Sequence, residues 1–114
     1  MSIDDYLERN YDIDKQNCGH FVVEVWKDLT GQNIAGVCAA FLDAEMTKTR
    51  MEAREGLMHI RKPESPCIVV MKSPHTETHV GVYIKGKILH LSENGVRYEP
   101  LVMLTPYWRM SYYK

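Results

Sequence analysis

Cysteine is scarce in this chain: Cys18, Cys38 and Cys67 are the three among 114 residues. They are too few and too scattered for a disulfide framework, and an odd count leaves at least one thiol free. No Cys-x-x-Cys pair occurs, which argues against a zinc ribbon. No apolar run approaches the roughly 20 residues that cross a bilayer as a helix. An excess of one charge sign is also missing. The formal net charge of −1 suggests neither a nucleic-acid footprint nor a polyanion-binding role, so nucleic acid and membrane are not expected partners. Repeats, low-complexity segments and linker-like stretches are absent, and residues 1–114 read as a single domain long enough to bury a core. The opening Met1-Ser2-Ile3-Asp4-Asp5 is acidic and does not read as a signal peptide. The expectation is cytoplasmic synthesis, with a separate delivery route for any role outside a cell.

What is present centres on Asn17-Cys18-Gly19-His20-Phe21-Val22. Phe21, Val22, Val25, Trp26 and Leu29 recur at steps of one, three and four, the stripe of a helix packed on a core. Gly31 is a natural stop just past its end. Asn17 is an N-cap candidate, because its side-chain oxygen can accept from a free backbone N–H of the first turn. Cys18 then takes the first helical position. There the unpaired N–H groups and the helix dipole favour an anion, which lowers a thiol's pKa and makes it a nucleophile near neutral pH. The competing reading is a small buried core residue, the commoner fate of a free cysteine.

The rest of the chain divides into helical and extended parts. Residues 2–10 read as a short helix with Ile3, Tyr6 and Leu7 on one face, and residues 11–16 as a polar connection. Residues 37–60 carry a weak helical pattern, read as one or two exposed helices over an edge of the core, with His59 exposed at the end. Lys62-Pro63-Glu64-Ser65-Pro66 breaks the helix. Beyond it the chain reads as an antiparallel sheet. Cys67-Ile68-Val69-Val70-Met71 is a continuous apolar run suited to a central strand. His79-Val80-Gly81-Val82-Tyr83-Ile84 and Ile88-Leu89-His90-Leu91-Ser92 form a hairpin around Lys85-Gly86-Lys87. Asn94-Gly95 signals a two-residue turn, Val96-Arg97-Tyr98 begins a short fourth strand, Pro100 and Pro106 bracket a loop, and residues 107–113 alternate as a closing strand.

Parity places the histidines. Residues two apart in a strand share a face, so His79, Gly81 and Tyr83 lie together. A two-residue loop of Lys85-Gly86 sets Ile84 opposite Lys87 and Gly81 opposite His90. A loop of Gly86-Lys87 sets Tyr83 opposite His90. Under either, both imidazoles point to the same side on adjacent strands, with Gly81 leaving space between them. A three-residue loop without a bulge would separate them. Two such imidazoles and a cysteine at a helix start are the parts of a Cys/His/orienter site. One histidine takes the thiol proton, and a second polar group fixes its tautomer.

These three motifs, in this order, resemble those of the NlpC family of papain-like cell-wall cysteine peptidases. That family carries a D-C-S-G-F-V-like motif opening a helix, an H-[VI]-G-[IV]-Y strand, and a polar third residue on the next strand. The matching stretches are Asn17 to Val22, His79 to Tyr83, and His90, and the likeness runs from Cys18 to about Leu91. It implies an α+β, papain-like fold with N-terminal helices packed on an antiparallel β-sheet. It implies Cys18 as nucleophile, His79 as general base and His90 as its orienter. Tyr11 is the candidate for the family's oxyanion tyrosine, with Tyr6 the alternative. The implied substrate is a peptide bond of peptidoglycan stem peptides, with no cofactor and no metal. Small stand-alone proteins of this make-up also resemble phage or prophage tail-associated hydrolases, which adds tail proteins as expected partners. The chain departs from the pattern with Asn17 for Asp, Gly19-His20 for Ser-Gly, and no Gly-Asp before the Cys67 strand.

Three rivals stand beside this reading. N-C-x-H-F-V also resembles the cysteine motif of lecithin:retinol acyltransferase-like proteins, which suggests an acyltransferase or thioesterase. There, however, the histidine precedes the cysteine. A non-catalytic tail assembly protein would keep the fold alone. A metal module would use Cys18, His20, His79 and His90, but Cys-x-His on a helix turns the two ligands about 200° apart. His20 therefore reads as structural or cleft-lining, His75 as a surface residue, and Cys38 and Cys67 as core or near-surface thiols.

Overall fold

The computed structural model describes residues 3–8, 18–35 and 56–114. Two helices come first, α1 (Ile3–Glu8) and α2 (Cys18–Thr30). Six strands follow: β1 (His59–Ile60), β2 (Cys67–Ser73), β3 (Thr76–Ile84), β4 (Lys87–Ser92), β5 (Gly95–Pro100) and β6 (Arg109–Tyr113). A single helical turn, α3 (Leu101–Leu104), separates the last two. The strands form one sheet in the order β1-β6-β2-β3-β4-β5. Every neighbouring pair is antiparallel. The result is a small α+β domain built on an antiparallel sheet with few helices. Among the described residues, no helix is long and apolar enough to cross a membrane.

The apolar stripe of α2 does what its spacing predicts. Phe21, Val22, Val25 and Trp26 are buried, and they pack with Ile68, Val70, Val80, Val82, Leu89 and Leu91 on one face of the sheet. Gly31 ends the helix at φ +78, donating its N–H to the Lys27 carbonyl at 2.8 Å. A left-handed residue is cheapest as glycine, so the stop is local in origin. From α1, Tyr6 is fully buried and meets Phe21 edge-on at 5.8 Å, and its hydroxyl donates to Asp28. The opposite face of the sheet carries a second cluster of Cys67, Val69, Met71 and Ile88, against which Tyr83, Trp108 and Tyr112 pack.

Two turns fix the register that matters. Val82 pairs with Leu89 and Ile84 with Lys87, so the β3–β4 loop is Lys85-Gly86. Both carry positive φ, at 51° and 89°, the turn whose twist matches paired strands. Between β4 and β5, Ser92 pairs with Gly95 and the turn residues are Glu93-Asn94, one position earlier than Asn94-Gly95. Gly95 is the positive-φ residue here, at 103°. It closes a right-handed turn rather than occupying its centre, a use of glycine that the dipeptide signal does not distinguish.

The region before the sheet corrects the helical reading of residues 56–60. Leu57 is buried in the α2-side core, and His59–Ile60 pair with Tyr113 and Tyr112 as an edge strand. Met58 and Lys114 exchange backbone hydrogen bonds of 2.9 and 3.0 Å. The unpaired edge of β6 supplies partners that the weak helical pattern could not weigh. His59 is exposed, as read from sequence. The helices expected within residues 37–55 lie outside the described residues. The loop expected between Pro100 and Pro106 instead contains α3, which sets Leu101 and Leu104 against the second cluster.

Candidate active site

The strands bring the two histidines into contact. His79 sits opposite Met71 across β2–β3, and alternation puts it on the face of the second cluster, away from α2. His90 shares that face through Ile88. His79 Nε2 and His90 Nδ1 lie 2.9 Å apart, with the rings edge-to-face at 5.0 Å and 82°. Gly81 makes this approach possible. A Cβ built there would stand 2.7 Å from Ile88 Cγ2, 3.0 Å from the Leu89 carbonyl oxygen and 3.1 Å from His90 Cβ. Any side chain at Gly81 therefore pushes against the backbone and Cβ that carry His90.

A third group completes a line. His90 Nε2 is 2.9 Å from Glu99 Oε2, and Arg97 Nε donates to Glu99 Oε1 at 2.9 Å. Arg97 stands directly opposite His90 on β5, and Glu99 is two residues further along the same face. A carboxylate at one end fixes the protons along the line. Ionised Glu99 only accepts, so His90 carries its hydrogen on Nε2. Neutral His90 then has its lone pair on Nδ1 and accepts from His79 Nε2–H. Neutral His79 is left with its lone pair on Nδ1, the ring nitrogen that His90 does not engage.

The electrostatics agree with neutral rings held by a charged carboxylate. Burial lowers the His79 pKa to about 4, with the neighbouring His90 adding to the shift and Glu99 opposing it. Burial also lowers His90, against the Glu99 hydrogen bond and charge, with Arg97 lowering it further. For Glu99, burial pushes upward, but the hydrogen bonds and charges of His90 and Arg97 together hold it below the ordinary carboxylate range. Near pH 7 both imidazoles are bases and Glu99 is an anion.

Cys18 reaches this site from the other side of the sheet. It is the first residue of α2, half-buried at the margin of the helix-side core. It lines one cleft with His79, His90, Thr78, Glu93 and Trp108, a space of about 530 Å³. Trp108 lies against His79 with ring centroids 5.9 Å apart. The helix start and the strand ends thus converge at one end of the sheet although their main packing faces differ.

The other expected residues distribute as follows. Tyr11 lies outside the described residues, as do Asn17 and Cys38. Tyr6 is bonded to Asp28, ten residues and roughly 15 Å along the helix from Cys18, so it does not serve the cleft. His20 is exposed and does not line the cleft. His75 is exposed in the β2–β3 turn, as expected of a surface residue. Cys67 is fully buried, with a thiol pushed up to about 11 by burial. Among the described residues, no group of three or more His, Cys, Asp or Glu side chains is placed to hold a metal ion.

Sequence reasoning missed Glu99 and Trp108. Glu99 was within reach of the parity argument. The fourth strand read as Val96-Arg97-Tyr98 continues to Pro100, and one more step of alternation puts Glu99 beside His90. Trp108 depends on α3 and the turn after it, which carry no periodic signal. Set against models of known protein families and against curated proteins, the chain matches none.

Proposed function

We propose that the protein is a cysteine hydrolase with a papain-like, NlpC-type arrangement, acting on an amide bond through Cys18, His79 and His90. One observation carries this reading: a cysteine on the first turn of a core-packed helix shares a cleft with a hydrogen-bonded histidine pair. His79 Nδ1 takes the Cys18 proton, and the resulting imidazolium is stabilised through His90 by Glu99. The thiolate attacks the carbonyl carbon. Backbone N–H groups at the start of α2 stabilise the oxyanion. His79 returns the proton to the leaving amine as the C–N bond breaks, leaving a thioester on Cys18. Water, deprotonated by His79, attacks the thioester and releases the acid and the free thiol.

The sequence resemblance supplies the substrate class, a peptide bond of peptidoglycan stem peptides, and the setting, a phage or prophage tail. The test is the pH dependence of iodoacetamide labelling at Cys18, read by mass spectrometry, in the parent and in His79→Ala. Labelling of the parent well below the ordinary thiol pKa of about 8.5, with that advantage lost in the variant, is the expected result. An ordinary profile that ignores His79→Ala would remove the catalytic role and leave a structural or assembly function in the lead.

A further inference from the structure

A second cavity adjoins the cleft, with a space of about 660 Å³ between the β2–β3 turn and the start of β6. Trp108 lines both cavities, so the two adjoin at this residue. Among the described residues, the lining of the second cavity contains Lys72, Arg109, Ser73, Thr105 and Tyr107 but no Asp or Glu. Lys72 and Arg109 stand directly opposite each other on β2 and β6. Like charges in that position repel and cost stability. Neither is ion-paired among the described residues. The chain as a whole is slightly acidic at −1, so two adjacent cations in one concavity do not follow from its composition. Tyr107 stands 74% exposed beside them.

We propose that Lys72 and Arg109 form a subsite for a carboxylate of the substrate, next to the amide bond cleaved in the cleft. The proposal rests on the hydrolase reading and narrows it to acyl or peptide substrates bearing a negative charge. Arg109 offers a planar fork of N–H donors, and Lys72 a mobile point charge. Together they can bracket a carboxylate, with the hydroxyls of Ser73, Thr105 and Tyr107 as further donors. Both spaces border Trp108, so an extended peptide at about 3.3 Å per residue would bring the carboxylate within roughly three residues of the scissile bond. The anion also relieves the repulsion between the two cations, so binding and local stability are coupled.

The test is a titration of the full ¹⁵N-labelled chain carrying Cys18→Ala, which prevents turnover. The probes are two matched peptides, acetyl-Ala-Glu-Ala-amide and its uncharged twin acetyl-Ala-Gln-Ala-amide. The chain has only two tryptophans, so the Trp108 indole signal reports the shared wall and the buried Trp26 signal is an internal control. The expected result is a preference of about tenfold or more for the Glu peptide, the scale of one charge-assisted hydrogen bond. The Trp108 signal should move while that of Trp26 stays. The preference should vanish in Lys72→Gln and Arg109→Gln, survive in Lys72→Arg, and weaken as salt is raised. Equal affinity for the two peptides, or a preference that persists in both Gln variants, would overturn the subsite. Inorganic phosphate that binds as tightly as the Glu peptide would also overturn it, since the pocket would then serve a free anion. No chemical step enters this titration. An inert Cys18 would leave it readable, and a failed titration would leave the labelling test of the thiol intact.

Discussion

Cys18 and Cys67 carry the same thiol in opposite settings. Cys67 sits on a central strand, paired across from Tyr83 and fully buried. Burial pushes its pKa up to about 11, against a backbone hydrogen bond at Glu64 and the charge of Lys114. Cys18 occupies the first position of a helix, half-buried, in a cleft with two imidazoles. A thiol reacts as its thiolate, so what differs between them is the stability of an anion at each place. At Cys67 lost hydration outweighs the backbone hydrogen bond and the Lys114 charge. Cys18 begins a helix and shares a cleft with His79 and His90, and the proposed mechanism makes His79 its proton acceptor. The element that carries each cysteine, rather than the residue type, separates a structural thiol from a candidate nucleophile.

The largest expected effect comes from removing one thiol and then the other. Cys18→Ala should lower hydrolysis of a stem-peptide amide by about 10⁴-fold or more, because the proposed mechanism forms its acyl intermediate on the Cys18 thiol. Cys67→Ala should leave the rate within about twofold and cost only roughly 1 kcal/mol in packing. In the native protein iodoacetamide should modify Cys18 and spare Cys67 until denaturant is added. Rapid native labelling at Cys67, or activity that survives Cys18→Ala, would break the contrast between the two sites.

The next effect tests why Cys18 is favoured. If Glu99 fixes the protons along His90 and His79, Glu99→Leu should cost about 10²-fold in hydrolysis, the scale of a general base left in the wrong tautomer. Glu99→Gln keeps an acceptor for His90 Nε2–H and should recover part of that loss. Nitrogen-15 shifts of the imidazoles supply a readout that mere loosening would not mimic. In the parent, His79 and His90 should both be protonated at Nε2 and bare at Nδ1. In Glu99→Leu that uniform pattern should dissolve into a mixture. A parent spectrum with His79 protonated at Nδ1 would contradict the proton order derived from the hydrogen-bond line. Gly81→Ala should act on the same line by geometry alone, since its Cβ would crowd His90 Cβ at 3.1 Å. A loss of about tenfold with a partly displaced His90 is expected there, provided the fold persists.

Much of this arrangement was legible because it rests on short-range rules. Strand alternation brought His79 and His90 to one face, a two-residue loop gave the register, and the stripe of α2 placed Cys18 at a helix start. The illegible parts depend on tertiary pairing. Nothing local to His59–Ile60 marks a strand, because its partner is the edge of β6 at the far end of the chain. Alternation assigns a face but not which face meets the helix, so it could not foresee that the histidines lie opposite the main packing surface of α2. Glu99 fell just beyond the strand boundary, where sequence patterns are weakest. Trp108 owes its position to a helical turn of only four residues, too short to show a period.

The last effect concerns stability, and there the two buried sites oppose each other in pH. His79 folds with a pKa of about 4 against an ordinary value of 6.5. Between those values the unfolded chain binds more protons, so stability is full above about pH 6.5 and falls as pH drops toward 4. The loss from this one group approaches roughly 3 kcal/mol at 1.36 kcal/mol per unit. His90 shifts in the same direction, and Glu99, held below its ordinary range, adds a loss of the same sign at lower pH. Cys67 acts at the other end. Its folded pKa of about 11 lies above the ordinary 9.0, so the unfolded chain releases a proton first and stability falls as pH rises through that window. Tyr98 and Tyr112, both raised by burial, add to the alkaline side. Urea unfolding at a series of pH values reads these slopes directly. His79→Gln should flatten the acid limb and leave the alkaline limb unchanged. Cys67→Ala should flatten part of the alkaline limb and leave the acid limb unchanged. If either substitution altered both limbs together, the two sites would be coupled through the second apolar cluster that lies between them, and the separation drawn between a structural and a reactive thiol would have to be redrawn as one shared network.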